Sequence, residues 1–458
     1  MHRLDEETLK LEREIINYAL ERVAMQPPPL DGPRSEADLA ALFASNITED
    51  GVGGHEALRR FIEGYAPATL SSDHPRFLAF VPVAPTKASI LFDMVVSASC
   101  ISGTSWLEAA GAIHCENEAI GWLAELAGMP PGSGGTFVSG GSLANLSGLH
   151  AARQRLKERR NFVRPDRFRI LASEEAHSSI ASAANMMDLE LILVQSPYPG
   201  RLDRKSLESR WNQLTKDERE SVIAVVATAG TTNTGLIDDL ASVGSFAQDN
   251  DLWMHVDAAY GGAALNSFMR PHFDGIELAD SFIVDPHKWL FAPFDAAAII
   301  YKEPEYAQRA LTQEAGYLDE INRDTAWNPS SYGYHLSRRV RGLPFWFSLA
   351  TYGTRRYREA VESSLDLARA TAREVERRDY LELALEPELS VVVFKRNGWP
   401  MELYQRWSMQ ALRDEVGFIL PTTFQGSPAV RLCFVNPTTT IQDVKAILDT
   451  LAWEPRGA

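Results

Sequence analysis

Cysteine is scarce. The 458-residue chain has three, Cys100, Cys115 and Cys433, with no CxxC pair and no metal-ligand spacing. That argues against a disulfide framework or a cysteine-held metal and fits a reducing compartment, the cytoplasm. Long apolar runs are missing too, none approaching the roughly 18 residues needed to cross a bilayer. The first residues, MHRLDEETLKLEREIINYALERVAM, are charged with a helical period, unlike a signal peptide. A positive surplus is also absent: 45 Lys+Arg against 61 Asp+Glu give a formal net charge of -16, and the Arg-rich patches near Arg153–Arg160 and Arg338–Arg341 are short. Nucleic acid and anionic membranes are therefore not expected partners. There is no internal repeat and no low-complexity segment to suggest an array or a linker.

What is present is an ordinary globular balance, 45% hydrophobic and 23% charged, in a chain long enough for more than one domain. Leu4 to Val23 place apolar residues near one helical face, and Pro27-Pro28-Pro29 end the pattern. This is a helical arm that packs either on a partner subunit or on its own chain. The runs FRILAS, LELILV, SVIAVVAT, LWMHVDAAY and SFIVDP then alternate with helical segments such as Asp203–Lys216 and Asp238–Asn250. Continuous Val/Ile/Leu strands joined by helical crossovers predict an α/β fold with a mostly parallel sheet covered on both faces. After Tyr352 the pattern becomes a long charged helix, two strands (ELSVVVFKR and AVRLCFVNP) and two more helices, a smaller α+β domain. The expected organisation is 1–75 helical, 76–350 large α/β domain, 351–458 small domain.

The stretch SFIVDPHKWLFAPFDAAAII sets Asp285, His287 and Lys288 inside an apolar run. Burial disfavours an ammonium, so a lysine there is expected to have a lowered pKa and nucleophilic character. The strand before it delivers Asp257 at its end, so that an acid and an amine face one rim, where α/β sheets bind ligands. In GSGGTFVSGGSLANL, the turn Ser139-Gly140-Gly141-Ser142 opens a helix whose free N–H groups suit a phosphate. Thr228 to Thr232 supply hydroxyls at another strand end, and Glu174 to Ser179 supply an imidazole, His177. A strand-end acid for a pyridinium, a lysine for an aldehyde and a glycine turn for a phosphate are together the handles of pyridoxal 5'-phosphate.

HVDAAYGG followed by DPHKWL is similar to the paired signatures of the group II pyridoxal-phosphate-dependent decarboxylases, the family of aromatic-L-amino-acid, glutamate and histidine decarboxylases. HPRFLAFVP, SWLEAAGAIHCENE, FVSGGSLANL, EEAHSSI, TAGTTNTG and the SRRVRGLPFW to ATYG region occur in the family's order, so the resemblance runs from about Pro75 to the C-terminus. It implies a fold-type I enzyme that decarboxylates an L-amino acid to an amine and CO2, working as a homodimer with active sites at the subunit interface. The alternative is the same fold diverting the carbanion to oxygen, as an aldehyde synthase or oxidase, or running another lyase or transaminase reaction.

The resemblance also implies roles. Lys288 is the Schiff-base lysine, Asp257 the partner of the ring nitrogen, Ala259 the small residue beneath the ring and His177 the imidazole above it. Gly141, Ser142, Thr232 and His287 surround the phosphate and ring, with Asp285 beside them. Many relatives have Asn where this chain has Asp285; because a carboxylate repels a phosphate it faces, Asp285 is expected to serve Lys288 or the backbone instead. Tyr332 is the first choice for the tyrosine that returns a proton to the α-carbon, with Tyr334 and His335 as the other candidates of that loop. Phe80 and Trp106 fall in the substrate pocket, although a Thr and a Phe of the aromatic-decarboxylase pattern are missing around them. Arg431 either pairs with a substrate carboxylate or serves a structural ion pair.

Overall fold

The computed structural model describes residues 2, 5–43, 45–197, 199–320 and 326–455, the side chain of Tyr317 excepted. Strands β1 (Gly134–Val138), β2 (Phe168–Ser173), β3 (Leu189–Val194), β4 (Val222–Thr228), β5 (Trp253–Asp257), β6 (Ser281–Val284) and β7 (Ala297–Tyr301) form one sheet in the order β1-β7-β6-β5-β4-β2-β3. β2 to β6 are mutually parallel, whereas β7 runs antiparallel to both its neighbours, β1 and β6. The five apolar runs of the sequence are β2 to β6. β1 and β7 are built from Gly, Ala and Thr as much as from branched residues, and their periodicity alone did not announce them.

Period two along the central strands divides their side chains between two cores. Val225, Ala227, Met254, Val256 and Phe282 belong to one cluster, and Ala224, Val226, Trp253 and Ile283 to the other. A sheet packed on both faces in this way leaves only its edges for polar groups. The edge at the carboxyl ends of β1, β2, β4, β5 and β6 carries the glycine turn, His177, Thr228, Asp257 and Lys288.

A second, antiparallel sheet has the order β10-β11-β9-β8, from β8 (Leu381–Leu383), β9 (Val391–Arg396), β10 (Pro421–Phe424) and β11 (Ser427–Cys433). The helices Met401–Arg413 and Ile441–Thr450 accompany it. The helix Leu343–Glu376 joins the two lobes and breaks at Gly353, whose φ of 74° is left-handed. Leu78 and Ala79 donate their N–H groups to Phe418 O at 2.9 and 3.1 Å, so the segment after Pro75 first packs on the small lobe.

The N-terminal helix Glu6–Ala24 is capped by Asp5, whose carboxylate accepts from Thr8 N at 2.8 Å, and it ends just before the prolines that cannot continue it. Leu4, expected to begin it, lies outside the described residues. None of its residues is buried. Leu11 touches Gly54, Arg22 pairs with Asp73 at 2.7 Å, and Leu9, Ile15, Ile16 and Leu20 stay 42–48% exposed. Among the described residues no helix is long and apolar enough to cross a membrane.

Candidate active site

Asp257 ends β5 beside Thr228, its register partner at the end of β4. Ala259 N donates to Asp257 Oδ1 at 3.1 Å, and Asn145 Nδ2 to Asp257 Oδ2 at 2.9 Å. The opposite end of that amide, Asn145 Oδ1, lies 2.9 Å from His255 Nε2, and His255 Nδ1 lies 2.7 Å from Ser281 Oγ, which also accepts from Trp253 Nε1 at 2.8 Å. The donors assign themselves. The Asp257 carboxylate can only accept, so the Asn145 amide turns its N–H toward it and its Oδ1 accepts from Nε2–H of His255; Nδ1 is then the bare nitrogen and accepts from the Ser281 hydroxyl. Burial keeps the His255 imidazole down to about 4, and hence neutral, although Asp257 pulls the other way. Gly148 permits this packing, since a Cβ there would stand 2.7 Å from His255 Cε1.

Asn145 Nδ2 also reaches Ser179 Oγ at 2.9 Å, which lies 2.8 Å from His177 Nδ1. His177 caps the helix Ser178–Met186 by accepting from Ser179 N at 3.1 Å, leaving its ring exposed at the cavity.

Lys288 follows β6, and its Nζ lies 2.9 Å from Asp285 Oδ2. Here the sequence-based expectation is corrected. Burial does work against the ammonium, but the Asp285 carboxylate, with Asp257 behind it, outweighs burial and raises the Lys288 pKa above its ordinary value. Asp285 itself is 1% exposed, and its Oδ1 is buried with no hydrogen-bond partner among the described residues.

These groups surround a cavity of about 300 Å³ lined by the Ser139–Ser142 turn, Asn145, His177, Thr228, Thr232, Asp257, Ala259, His287 and Lys288 among others. The cavity fits pyridoxal phosphate on its own geometry. At one end the helix Gly141–Arg159 begins with unpaired N–H groups, and a Cβ at Gly141 would fill the cradle, 2.9 Å from Asp285 Oδ2. At the other end the Asp257 carboxylate stands ready for a ring N–H, while the buried Thr228 hydroxyl has no hydrogen-bond partner among the described residues.

Not every predicted residue reaches this cavity. Phe80 is 60% exposed beside Phe418, and Trp106 starts the helix Trp106–Leu126 with its backbone N–H on Asn328 Oδ1. Arg431 Nε donates to Thr232 O at 2.7 Å and Nη1 to Phe80 O, while Nη2 is buried with no partner among the described residues. Its ties are to backbone carbonyls and not to an acid. Tyr332 is packed away: its ring stacks on Trp327 at 3.9 Å, its carbonyl accepts from Tyr301 OH, and burial, helped by Glu305, pushes its phenol up to about 12. Tyr334 is 65% exposed and His335 half-buried, both outside the cavity wall. Asn145, Ser179, Thr228 and His255, in contrast, were not singled out individually; only Asn145, fourth residue after Gly141 and so on one helix face with it, carried a signal.

With this geometry in view, comparison with known proteins is decisive. The model of the pyridoxal-dependent decarboxylase conserved domain matches residues 62–397. The chain belongs to that family. Its cofactor is pyridoxal 5'-phosphate, and its reaction class is amino-acid decarboxylation. The chain is 28% identical over 423 residues to an aromatic-L-amino-acid decarboxylase of Bacillus atrophaeus, covering 89% of this chain and 86% of that one. It is 28% identical over 440 residues to an L-2,4-diaminobutyrate decarboxylase of Acinetobacter baumannii, covering 90% and 86%. Among solved structures, Oryza sativa TDC with PLP and tryptamine superimposes with a TM-score of 0.88 at 21% identity over 99% of both chains, a likeness of fold.

Proposed function

We propose that this chain releases the α-carboxylate of an L-amino acid as CO2 and returns a proton to the α-carbon, with Lys288, Asp257 and His177 as the groups that touch cofactor or substrate. The observation that carries the assignment of roles is the meeting of Lys288, Asp257 and the Gly141 turn on one cavity. When bound, pyridoxal phosphate supplies an aldehyde that captures the amine and a conjugated ring that draws electrons from the scissile bond. The Gly141 helix start holds the phosphate end. Asp257, kept as an acceptor by Ala259 N and the Asn145 amide, holds a proton on the ring nitrogen, so that negative charge developing during CO2 loss meets a positive centre already in place. His177 and Ala259 would enclose the ring, and Lys288 Nζ, paired with Asp285, would be the amine that holds the aldehyde.

For the proton return, the loop group free to move is the exposed Tyr334, and the packed Tyr332 serves to anchor the loop. Arg431 serves as a positioning residue through the Thr232 and Phe80 carbonyls it holds. A homodimer completes the site in this reading. It is supported by a 19-residue helix with no buried residue and by Phe80 and Phe294, 60% and 58% exposed, the latter at the cavity itself. A cytoplasmic location remains part of the proposal. The test is to incubate cofactor-loaded protein with a panel of L-amino acids while measuring CO2, amine, aldehyde, ammonia and peroxide in parallel. CO2 and amine in equal amounts support the reading; peroxide and aldehyde as main products overturn it.

A further inference from the structure

The phosphate cradle of this cavity contains a carboxylate. Asp285 Oδ2 and Oδ1 lie 2.9 and 3.3 Å from the point where a Cβ of Gly141 would stand, so the acid rests against the first residue of the phosphate-binding helix. Its backbone is fixed there: Asp285 N donates to Ala259 O at 3.0 Å, and Asp285 O accepts from Lys288 N at 2.9 Å. Oδ2 is paired with Lys288 Nζ, while Oδ1, wholly buried, faces no donor among the described residues. A phosphate monoester, with a second pKa near about 6, is a dianion above neutrality. Dianion and carboxylate would then meet at one helix start, in a site screened from water, where like charges repel strongly.

The surroundings offer one economical relief. His287 Nε2 lies 3.9 Å from Asp285 Oδ2; its Nδ1 lies 2.7 Å from Ala296 O and 3.2 Å from Ala296 N, and the closer contact, with an atom that can only accept, favours the proton on Nδ1 and a lone pair on Nε2. Burial lowers the His287 pKa, so the ring is neutral before an anion arrives. The other charged or titratable groups facing this cluster are Lys288, whose charge is already matched by Asp285, Asp295 near His287, Asp257 across the cavity, Cys433 near Lys288, and Arg431 beside Cys433. The Ser139–Ser142 turn brings no charge of its own.

We infer that phosphate-ester binding at the Gly141 turn is coupled to uptake of one proton, which the Asp285 carboxylate makes necessary and which is held among Asp285 Oδ1, His287 Nε2 and the phosphate. The balance is simple: the site, the dianion and one proton from a buffer acid give the complex, and no covalent bond of protein or ligand breaks. The consequence is a cofactor seat whose affinity falls as pH rises, set by a residue of this chain and separate from the chemistry of Lys288.

The test uses pyridoxine 5'-phosphate, which lacks the aldehyde and so cannot react with Lys288, added to cofactor-stripped full-length protein. Titration calorimetry at about pH 8 in two buffers of different ionisation enthalpy counts the protons taken up. Wild type should take up about one more proton per ligand than Asp285→Asn. The variant should bind about tenfold tighter near pH 8.5, where the wild-type site is paying most heavily for the missing proton. Any proton bound by the ring nitrogen belongs to Asp257 and is common to both proteins. The second measurement needs no variant: the wild-type Kd for inorganic phosphate should rise by close to tenfold per pH unit from about pH 7.5 to 9, a range in which the raised Lys288 pKa keeps the ammonium intact. Equal proton counts in wild type and Asp285→Asn, or a wild-type Kd independent of pH over that range, would overturn the coupling. No binding of either ligand would overturn the seat itself, which is a separate failure.

Discussion

The side-chain amide of Asn145 stands between Asp257 and His255, donating to the carboxylate at 2.9 Å and held at its other end by His255 Nε2, also at 2.9 Å. The amide can therefore present only its N–H to Asp257. Asn145→Ala should remove that donor and leave His255 Nε2 unpaired in a buried place, at a cost of about 1–3 kcal/mol. A lowered Tm together with weaker cofactor binding is the expected result; Asn145→Asp, which places acceptor against acceptor, should bind cofactor less well than Asn145→Ala.

Lys288 should carry the cofactor. Borohydride reduction and peptide mass mapping will put the pyridoxyl group on Lys288, and an adduct on Lys87 or Lys302 would show the assignment to be wrong. Because the Lys288 pKa is raised, the neutral amine needed to capture the aldehyde is scarce at neutral pH. With cofactor in excess at every pH, so that the phosphate seat is filled throughout, capture by stripped protein should accelerate as pH rises. A rate that declines from pH 7 to 9 would contradict the Asp285 pairing as its cause.

Several histidines are held neutral by the fold: burial lowers His255, His150 and His74 to about 4 and His335 to about 3. The unfolded chain binds protons at these groups below its ordinary pKa of about 6.5, while the folded chain does not until near 4. More protons on the unfolded side mean that stability falls with acidification over this window, by about 1.4 kcal/mol per pH unit for each such group. Denaturant midpoints measured from pH 7 to 4 should drop steeply, and His255→Asn should flatten the slope by about one proton.

The two loop tyrosines should separate in their effects. Tyr334→Phe should slow proton return and raise the share of aldehyde, ammonia and peroxide among the products. Tyr332→Phe should leave the ratio unchanged, whereas Tyr332→Ala should lower stability by about 3 kcal/mol or more through loss of the ring stacked on Trp327. A product shift in Tyr332→Phe alone would return the role to Tyr332.

Deleting Met1–Met25 should weaken self-association, read by sedimentation equilibrium. A fully active monomer of the intact chain would rule out an interface site.

The large sheet was legible because its central strands are buried on both faces and read as unbroken Val/Ile/Ala runs, and their ends were legible because Asp257, His177 and Lys288 interrupt those runs with groups that apolar strands do not otherwise tolerate. β1 and β7 escaped notice for the opposite reason, being small-residue strands. The ionisation of Lys288 was read wrongly because local hydropathy reports desolvation and not the direction in which the Asp285 side chain turns. The network behind Asp257 joins residues as far apart as Asn145 and His255, and no spacing rule encodes such a contact. Tyr332 was read from composition as loop; stacking on Trp327 is a tertiary fact.

The guanidinium of Arg431 ties three distant stretches together, since it belongs to β11 and bonds to the carbonyls of Thr232 and Phe80 from a buried position. Moving the small lobe away from the large one would break both of these charge-assisted bonds at once, about 1.5–3 kcal/mol each. One side chain of the small lobe thus clasps two segments that border the cavity.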